Sequence, residues 1–160
     1  MSAGRLRLED FVPYRLSVLS NVLSSAIAAA YSERFNLSIP EWRVLAVLAH
    51  HPDLSAAEVA ERTAMDKVAV SRAVNALLGR RRIERRFSDN DRRRSMLRMS
   101  AEGRAVYERV VPVARGYEQN LMASLDPADR AAFDRILRQL LGRAREIGPA
   151  KAPEAATGRR

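Results

Sequence analysis

The sequence contains no cysteine among its 160 residues. It therefore has no disulfide framework, no thiolate nucleophile and no cysteine redox switch. The only two histidines, His50 and His51, are adjacent, and a helix would splay their side chains about 100° apart, which makes them a poor pair for one metal ion. We therefore expect neither a metal site nor a cofactor.

Long apolar runs are also absent. No stretch approaches the roughly 20 apolar residues of a membrane span, and the opening MSAGRLRLEDF lacks an apolar run of signal-peptide length. These patterns predict a cytoplasmic protein that does not associate with membranes. No Ser-His-acid order and no glycine-rich phosphate loop appears, so we expect no catalytic residues and no enzyme.

Positive charge is concentrated in one part of the chain. Residues 62–104 carry 13 basic and 5 acidic side chains, whereas all other residues together carry 15 basic and 14 acidic side chains. Nearly all of the net charge of +9 therefore lies in about one quarter of the sequence. Such a concentration is typical of a surface that meets phosphates.

The apolar spacing predicts a long first helix with a seam that faces another helix. Asp10 is expected to cap this helix, and Pro13 is tolerable in its first turn. The residues of the seam, spaced alternately by four and three, are Val12, Leu16, Leu19, Leu23, Ala26 and Ala30.

Three further helix starts follow at short intervals. Ser38 with Glu41 and Ser55 with Glu58 each form the pattern of a capping box, and Asp66 can cap the third helix. Only about three residues separate the second of these helices from the third. This arrangement predicts a helix-turn-helix whose second member, the reading helix, begins after Asp66. Its predicted apolar face consists of Val70, Val74, Leu77 and Leu78.

The period then changes to that of a β-hairpin. Residues 83–87 alternate, residues 96–99 form a second short run, and SDNDRRR lies between them as a polar turn. Ser100 is expected to cap a long helix kinked at Pro112, and Asp126 begins the last helix. The predicted fold is mainly α with a small β-hairpin wing, that is, a winged helix-turn-helix domain plus a helical dimerisation region. The predicted segments are an N-terminal dimerisation helix (1–36), the DNA-binding domain (37–100), C-terminal dimerisation helices (101–147) and a disordered tail (148–160).

This order of elements resembles the MarR family of bacterial transcription regulators over roughly residues 10–146. The pattern D-K-x-x-V-[ST]-R-x-V-x-x-L is matched from Asp66 to Leu77, followed by I-x-R at Ile83, D-x-R at Asp91 and [LM]-[ST]-x-x-G ending at Gly103. The resemblance implies a homodimer, built from the first helix and the last two, that binds a pseudo-palindromic operator in double-stranded DNA. We expect it to act as a repressor, with activation as the alternative. One departure concerns the end of the reading helix. Arg81 and Arg82 stand where the family usually has Gly-Leu, and the glycine normally supplies a left-handed residue.

Polar side chains of the reading helix share the side opposite its apolar face. Arginine can contact guanine, asparagine adenine, and valine a thymine methyl group, although an ordinary solvated face would look similar. The candidate DNA-binding residues on this helix are Lys67, Val68, Ser71, Arg72 and Asn75. At the wing tip, the candidates are Arg92, Arg93 and Arg94; the resemblance places Arg93 in the minor groove, with Asp91 bracing the wing through an ion pair. Phosphate contacts or solvated charge are predicted for Arg80, Arg81, Arg82, Arg85 and Arg86.

The family resemblance also implies a small-molecule effector, a small aromatic carboxylate or its CoA thioester, bound where the dimer helices meet the reading domain. An arginine with tyrosine, serine and tryptophan would suit a carboxylate plus a ring. The opening EDFVPYRLSVLSN resembles family members tied to aromatic-acid breakdown. Alternatively, Trp42 is a core residue and the serines only allow close helix packing. The candidate effector residues are Tyr14, Ser17, Asn21, Ser24, Trp42 and Arg43.

Other functions remain open at the level of sequence. An architectural DNA-binding protein without an effector would show the same charge pattern, and only its specificity ratio against random DNA would distinguish it. A basic amphipathic membrane binder fits less well, because the charge lies on a compact domain rather than along one helix face.

Overall fold

The computed structural model describes residues 6–87 and 95–148. A short 3₁₀ turn, Leu8–Asp10, precedes the first helix. The helices and strands that follow are α1 (Val12–Ala29), α2 (Ser32–Phe35), α3 (Ile39–His50), α4 (Ala56–Thr63), α5 (Lys67–Gly79), β1 (Ile83–Phe87), β2 (Ser95–Met99), α6 (Ala101–Met122) and α7 (Pro127–Ile147). The predicted fold class, mainly helical with a two-stranded antiparallel hairpin, is confirmed.

The three predicted helix caps of the helix-turn-helix are present. The backbone N–H of Ser38 donates to Glu41 Oε2 at 2.7 Å, and that of Ser55 donates to Glu58 Oε2 at 2.8 Å. Both serine hydroxyls accept in return from the glutamate N–H, which completes two capping boxes. Asp66 accepts from the N–H of Ala69 at 2.8 Å and begins α5, the reading helix. Local sequence therefore fixes where each helix of this motif starts.

A single apolar core joins these helices to the strands. The apolar face of α5 packs with side chains from α3, α4, β1, β2 and α6, so the position of the reading helix is set by burial on one side only. The most deeply buried side chains are Tyr31, Leu37, Val44, Leu45, Leu48, Val59, Val70, Leu77, Ile83, Leu97 and Val110.

The wing is anchored to the turn between α3 and α4. β1 and β2 pair antiparallel with Ile83 opposite Met99. The N–H of Leu97 donates to the carbonyl of Leu54 at 2.7 Å, and these two residues form an isolated antiparallel β-bridge beside the hairpin. Beside it, the guanidinium of Arg98 makes a two-point hydrogen bond with the carboxylate of Asp53, with Nε 2.9 Å from Oδ1. The base of the hairpin is thus tied to the helix-turn-helix by backbone and side chain.

Two features of the N-terminal region differ from the sequence prediction. The predicted cap at Asp10 is wrong: α1 has Phe11 at its N-cap position without a side-chain hydrogen bond, and Asp10 lies in the preceding turn, 3.6 Å from the guanidinium of Arg7. The short helix α2 was not predicted, because four residues are too few to show a helical period. It ends at Asn36, which adopts the left-handed conformation with φ 46°.

The chain forms two compact units, divided between residues 117 and 118 inside α6. At the start of α6, the N–H of Gly103 donates to the hydroxyl of Ser100 at 3.0 Å, which confirms that cap, and the helix continues through Pro112. In the second unit, Asp126 caps α7 by accepting from the N–H of Asp129 at 2.8 Å. The four segments predicted from sequence stay a prediction, and residues 149–160 of the tail lie outside the described residues. None of the described helices is both long and apolar enough to span a bilayer.

Candidate functional site

The solvent-facing side of α5 carries the five side chains that the sequence analysis assigned to DNA. Lys67, Val68, Ser71, Arg72 and Asn75 are all exposed, and Val68 is 59% exposed although it is apolar. Because the opposite side of the helix is buried, these five residues form one continuous face. This reading face has the size and chemistry to enter a major groove.

A cleft of about 240 Å³ runs along one edge of the reading face. Lys67, Ser71 and Asn75 line it from α5, Ala56 and Ala57 from the start of α4, and Arg85 from β1. Arg85 is exposed, so its guanidinium adds positive charge beside the polar side chains of the reading helix. The strand therefore widens the surface that can meet DNA.

A second cleft, of about 360 Å³, lies along the other edge. Arg72 and Arg80 line it together with the N-terminal residues of α3. Arg80 forms an ion pair with Glu41, whose carboxylate is buried at 4% exposure and also caps α3. The prediction that Arg80 serves as a phosphate contact or solvated charge is therefore wrong in part, because its charge holds α3 and α5 together.

The end of the reading helix keeps the geometry that glycine usually provides. Arg81 adopts the left-handed conformation with φ 55°, and its N–H donates to Leu78 O at 2.9 Å while the N–H of Arg82 donates to Leu77 O at 2.9 Å. This is the Schellman pattern that closes a helix. Arg82 is only 8% exposed, so its assignment as a phosphate contact or solvated charge is wrong.

The predicted wing-tip residues Asp91, Arg92, Arg93 and Arg94 lie outside the described residues. The strands that lead to the tip are described, and the Asp53–Arg98 pair fixes their base. Hydrogen bonding to Arg98 is the main cause that lowers the pKa of Asp53 below its ordinary value. The carboxylate of Asp53 is therefore ionised throughout the neutral range.

Replacing Asp53 by Asn is expected to lower the melting temperature at neutral pH and to matter less in acid. A carboxyl group whose pKa is lowered by folding stabilises the protein above the pKa that it has when unfolded, and this stabilisation is lost as the pH falls through the lower folded pKa. The difference in Tm between wild type and Asp53→Asn should be constant down to about pH 5 and shrink below it. Glu61→Gln, which removes an exposed carboxylate from α4, is the control. A difference unchanged at pH 3 would contradict the coupling.

The structure brings together three of the six candidate effector residues. Arg43 donates from Nη2 to the hydroxyl of Ser24 at 3.2 Å, which joins α3 to α1. The neighbouring Trp42 ring stacks on Tyr107 with centroids 5.5 Å apart and meets Tyr31 at 5.8 Å. Burial raises the pKa of Tyr31, and the nearby charge of Arg43 lowers it to a smaller extent. A cationic group thus lies beside an aromatic cluster, defined here as Tyr31, Trp42 and Tyr107.

The other three candidates lie farther toward the N-terminus on α1. Tyr14, Ser17 and Asn21 are exposed, and within the described residues none of them makes a hydrogen bond or ring contact with Trp42 or Arg43. They share one face of α1 with Ser24, as their spacing predicts. Their place in an effector site stays a prediction.

Tyr31, His50 and Tyr107 were not among the residues predicted from sequence for this site. The hydroxyl of Tyr107 lies 3.2 Å from His50 Nε2, so the C-terminal end of α3 and α6 are linked next to the aromatic cluster. The spacing of Tyr107, four residues after Gly103 and three before Val110, could have placed it on the buried side of α6. Tyr31 gave no such signal, because it lies between two helices.

Comparison with known proteins agrees with this geometry. A sequence model described as the MarR family matches residues 35–94. The chain is 29% identical over 135 residues to the HTH-type transcriptional repressor Rv2887 of Mycobacterium tuberculosis (strain ATCC 25618 / H37Rv), an alignment covering 83% of this chain and 96% of that protein.

Two solved structures share the fold. The structure of Bordetella bronchiseptica BpsR, which concerns regulation of its DNA binding by 6-hydroxynicotinic acid, has a TM-score of 0.75 at 24% identity and covers 86% of this chain and 97% of that chain. The Staphylococcus aureus MepR–DNA complex has a TM-score of 0.74 at 20% identity, with 84% and 98% covered. Family model, repressor relative and fold agree in supporting a MarR-family winged helix-turn-helix regulator: the chain is similar to transcriptional repressors over most of its length and shares the fold of MarR-family structures.

Proposed function

We propose that this protein is a sequence-specific transcriptional repressor that binds a pseudo-palindromic operator as a homodimer and is released by a small aromatic carboxylate or its CoA thioester. The observation that carries the proposal is the reading face of α5, which is exposed along its whole length and flanked by Arg85 on one edge and Arg80 on the other. Because the opposite side of α5 is packed in the core, the reading face must point toward solvent.

Each side chain of the reading face has a role that follows from its chemistry. Arg72 makes a two-point contact with guanine, Asn75 pairs with adenine, and exposed Val68 contacts a thymine methyl group. Lys67 and Ser71 bind phosphate or a base edge. Arg85 supplies affinity without sequence information.

The wing completes the DNA contacts. We propose that Arg93 enters the minor groove, where it senses groove width and negative potential rather than base identity. In this proposal Asp91 braces the wing through an ion pair, and Arg92 and Arg94 contact the DNA backbone. The anchored base of the hairpin supports the proposal, because Arg98 ties β2 to Asp53 in the turn between α3 and α4 of the helix-turn-helix domain.

Dimerisation is supported by apolar side chains that a single chain leaves exposed. Leu16 and Leu19 on α1 are 41% and 42% exposed, and α7 has no buried residue at all. A second copy would cover these faces. In the dimer, two reading helices would enter successive major grooves about 34 Å apart.

Selection of bound DNA from a random pool tests the operator proposal directly. We expect enrichment of an inverted repeat with half-sites about one helical turn apart, bound roughly 10³-fold or more tightly than random DNA at physiological salt. Enrichment without a repeat would contradict the dimer. Equal binding of selected and random DNA would instead indicate an architectural protein.

The proposed effector site is centred on Arg43. A ligand carboxylate would replace the Ser24 hydroxyl as the partner of the guanidinium, and a charge-assisted pair is the stronger of the two. The ligand ring would pack against Trp42 of the aromatic cluster. BpsR, which shares the fold, responds to 6-hydroxynicotinic acid, itself an aromatic acid. Such a ligand releases DNA only if it binds one conformer of the dimer more tightly than another. The favoured conformer must be the one in which the spacing of the two reading helices does not fit the operator.

Arg43→Ala is expected to abolish release by aromatic acids while leaving operator affinity in their absence unchanged. Losing a charge-assisted carboxylate pair should weaken ligand binding by about 10-fold or more. The measurement is displacement of labelled operator by 6-hydroxynicotinic acid, 4-hydroxybenzoate and benzoyl-CoA.

Arg62→Ala is the matched control, because it removes one exposed arginine whose only described partner is His51. Arg43→Lys keeps the charge and should respond partially. If Arg43→Ala is released from the operator by these compounds as wild type is, Arg43 does not bind the effector. If no compound displaces wild-type protein from the operator, the proposal of an aromatic effector is wrong.

A further inference from the structure

Arg82 carries a charged side chain that is buried in the core, although the basic run to which it belongs in sequence predicts an exposed one. Its Nη1 donates to the carbonyl of Asn36 at 3.2 Å, and its Nη2 donates to the carbonyl of Phe35. The Nε atom is buried without a hydrogen-bond partner. The guanidinium therefore bridges the end of the reading helix and the α2–α3 junction, 46 residues earlier in the chain.

The backbone of Arg82 is held as firmly as its side chain. Its N–H closes the last turn of α5 on Leu77 O, and its carbonyl accepts from the N–H of Ser100 at 3.1 Å. The carbonyl also lies so close to Gly103 that an added Cβ there would be 1.9 Å away. The backbone and the guanidinium of Arg82 therefore tie the end of α5 both to the start of α6 and to the α2–α3 junction.

Stability alone does not account for a guanidinium at this position. Burial lowers the pKa of Arg82, which shows that the charged form loses hydration there. Its two described hydrogen-bond partners are neutral carbonyls, and the nearby charges of Glu41 and Glu102 offset the loss of hydration only in part. A guanidinium does, however, demand a fixed geometry from both carbonyls, because its donors form a rigid fork.

We propose that Arg82 is a positioning residue that holds the C-terminal end of the reading helix at a fixed place against the α2–α3 junction, and so sets the half-site spacing that the dimer accepts. The inference rests on the proposed operator binding. The junction also connects Tyr31 of the aromatic cluster to Ser38 at the start of α3. The same contact thus lies between the proposed effector site and the reading face.

The test compares operators whose half-sites are separated by the selected spacing or by one base pair more or less. For each protein, the ratio of affinities for selected and altered spacing is measured at one salt concentration. We expect Arg82→Met to lower this ratio at least about fivefold. Without the guanidinium, the end of the reading helix is no longer held at one place and can adapt to either half-site spacing. The Tm of Arg82→Met should fall by several degrees, because the carbonyls of Phe35 and Asn36 lose their donor.

Arg81→Gly is the matched control. It removes the same charge from the adjacent position, and glycine accepts the left-handed conformation of Arg81 without strain, so the spacing ratio should remain that of wild type. Arg82→Lys keeps the charge but cannot present two parallel donors, and an intermediate ratio is expected.

An unchanged ratio in folded Arg82→Met overturns the proposal, as does an equal loss in Arg81→Gly, which would assign the effect to charge. If Arg82→Met does not fold, Arg82→Lys decides: an intermediate ratio supports the proposal and the wild-type ratio overturns it. A wild-type protein with no preferred spacing would instead refute the operator proposal on which the test depends.

Discussion

Replacing Arg72 by alanine is expected to weaken binding to the preferred operator by about 5- to 150-fold, or 1–3 kcal/mol, and to relax the sequence preference at one base pair. The side chain is exposed on the reading face, and within the described residues its guanidinium makes no ion pair. The only carboxylate that lines the same cleft, that of Glu41, is already paired with Arg80. Arg72 is therefore available for a base.

Arg85→Ala provides the contrast to Arg72→Ala. A phosphate contact carries no sequence information, so its loss should weaken binding to all sequences about equally and reduce the salt slope by about one. Titrations over single-base operator variants at several salt concentrations separate the two outcomes. If Arg72→Ala weakens every variant to the same extent, Arg72 is a phosphate contact and the base assignment is wrong.

Local chemistry made much of the fold predictable from sequence. A capping box at Ser38 or Ser55 needs only residues three apart, so the helix starts could be located without any tertiary information. The alternation of residues 83–87 likewise identified the wing strand. The contact between Arg98 and Asp53 was not predictable in this way, because the partners are 45 residues apart.

The three consecutive arginines at positions 80–82 show why charge patterns mislead. In sequence they form one basic run, yet Arg80 pairs with buried Glu41, Arg81 is exposed in a left-handed turn, and Arg82 is inside the core. The second residue after a helix C-cap often makes an apolar contact with the last turn. This position predicts that Arg82 is buried, but only when the last residue of the helix is known.

The candidate effector site was only partly predictable for a related reason. Arg43 and Ser24 are 19 residues apart and were both selected from the chemistry that a carboxylate needs. Tyr107 is on a helix 65 residues beyond Trp42, and ring stacking across that distance leaves no mark in local periodicity. The cation of the candidate site, Arg43, was therefore predictable from sequence, whereas Tyr31 and Tyr107 of its aromatic cluster were not.

Replacing both Leu137 and Leu140 by glutamate is expected to abolish the proposed homodimer and, with it, tight operator binding. In the single chain these side chains are 39% and 46% exposed, and they lie on one apolar face of α7 with Phe133 and Ile136. Covering this face requires another surface, and two buried carboxylates without partners would make that association prohibitively costly. Sedimentation should then give the chain mass of 17.9 kDa instead of about twice that value.

Arg135→Glu is the control for this substitution, since it changes the net charge by the same two units on the opposite side of α7. It should remain a dimer. Operator affinity of the Leu137→Glu, Leu140→Glu protein should fall at least about 100-fold, because a single reading helix would then bind without the second reading helix that the proposed homodimer supplies at high effective concentration. A dimer that survives this substitution would show that α7 does not form the interface, and the apolar surface of α1 would then have to account for association alone.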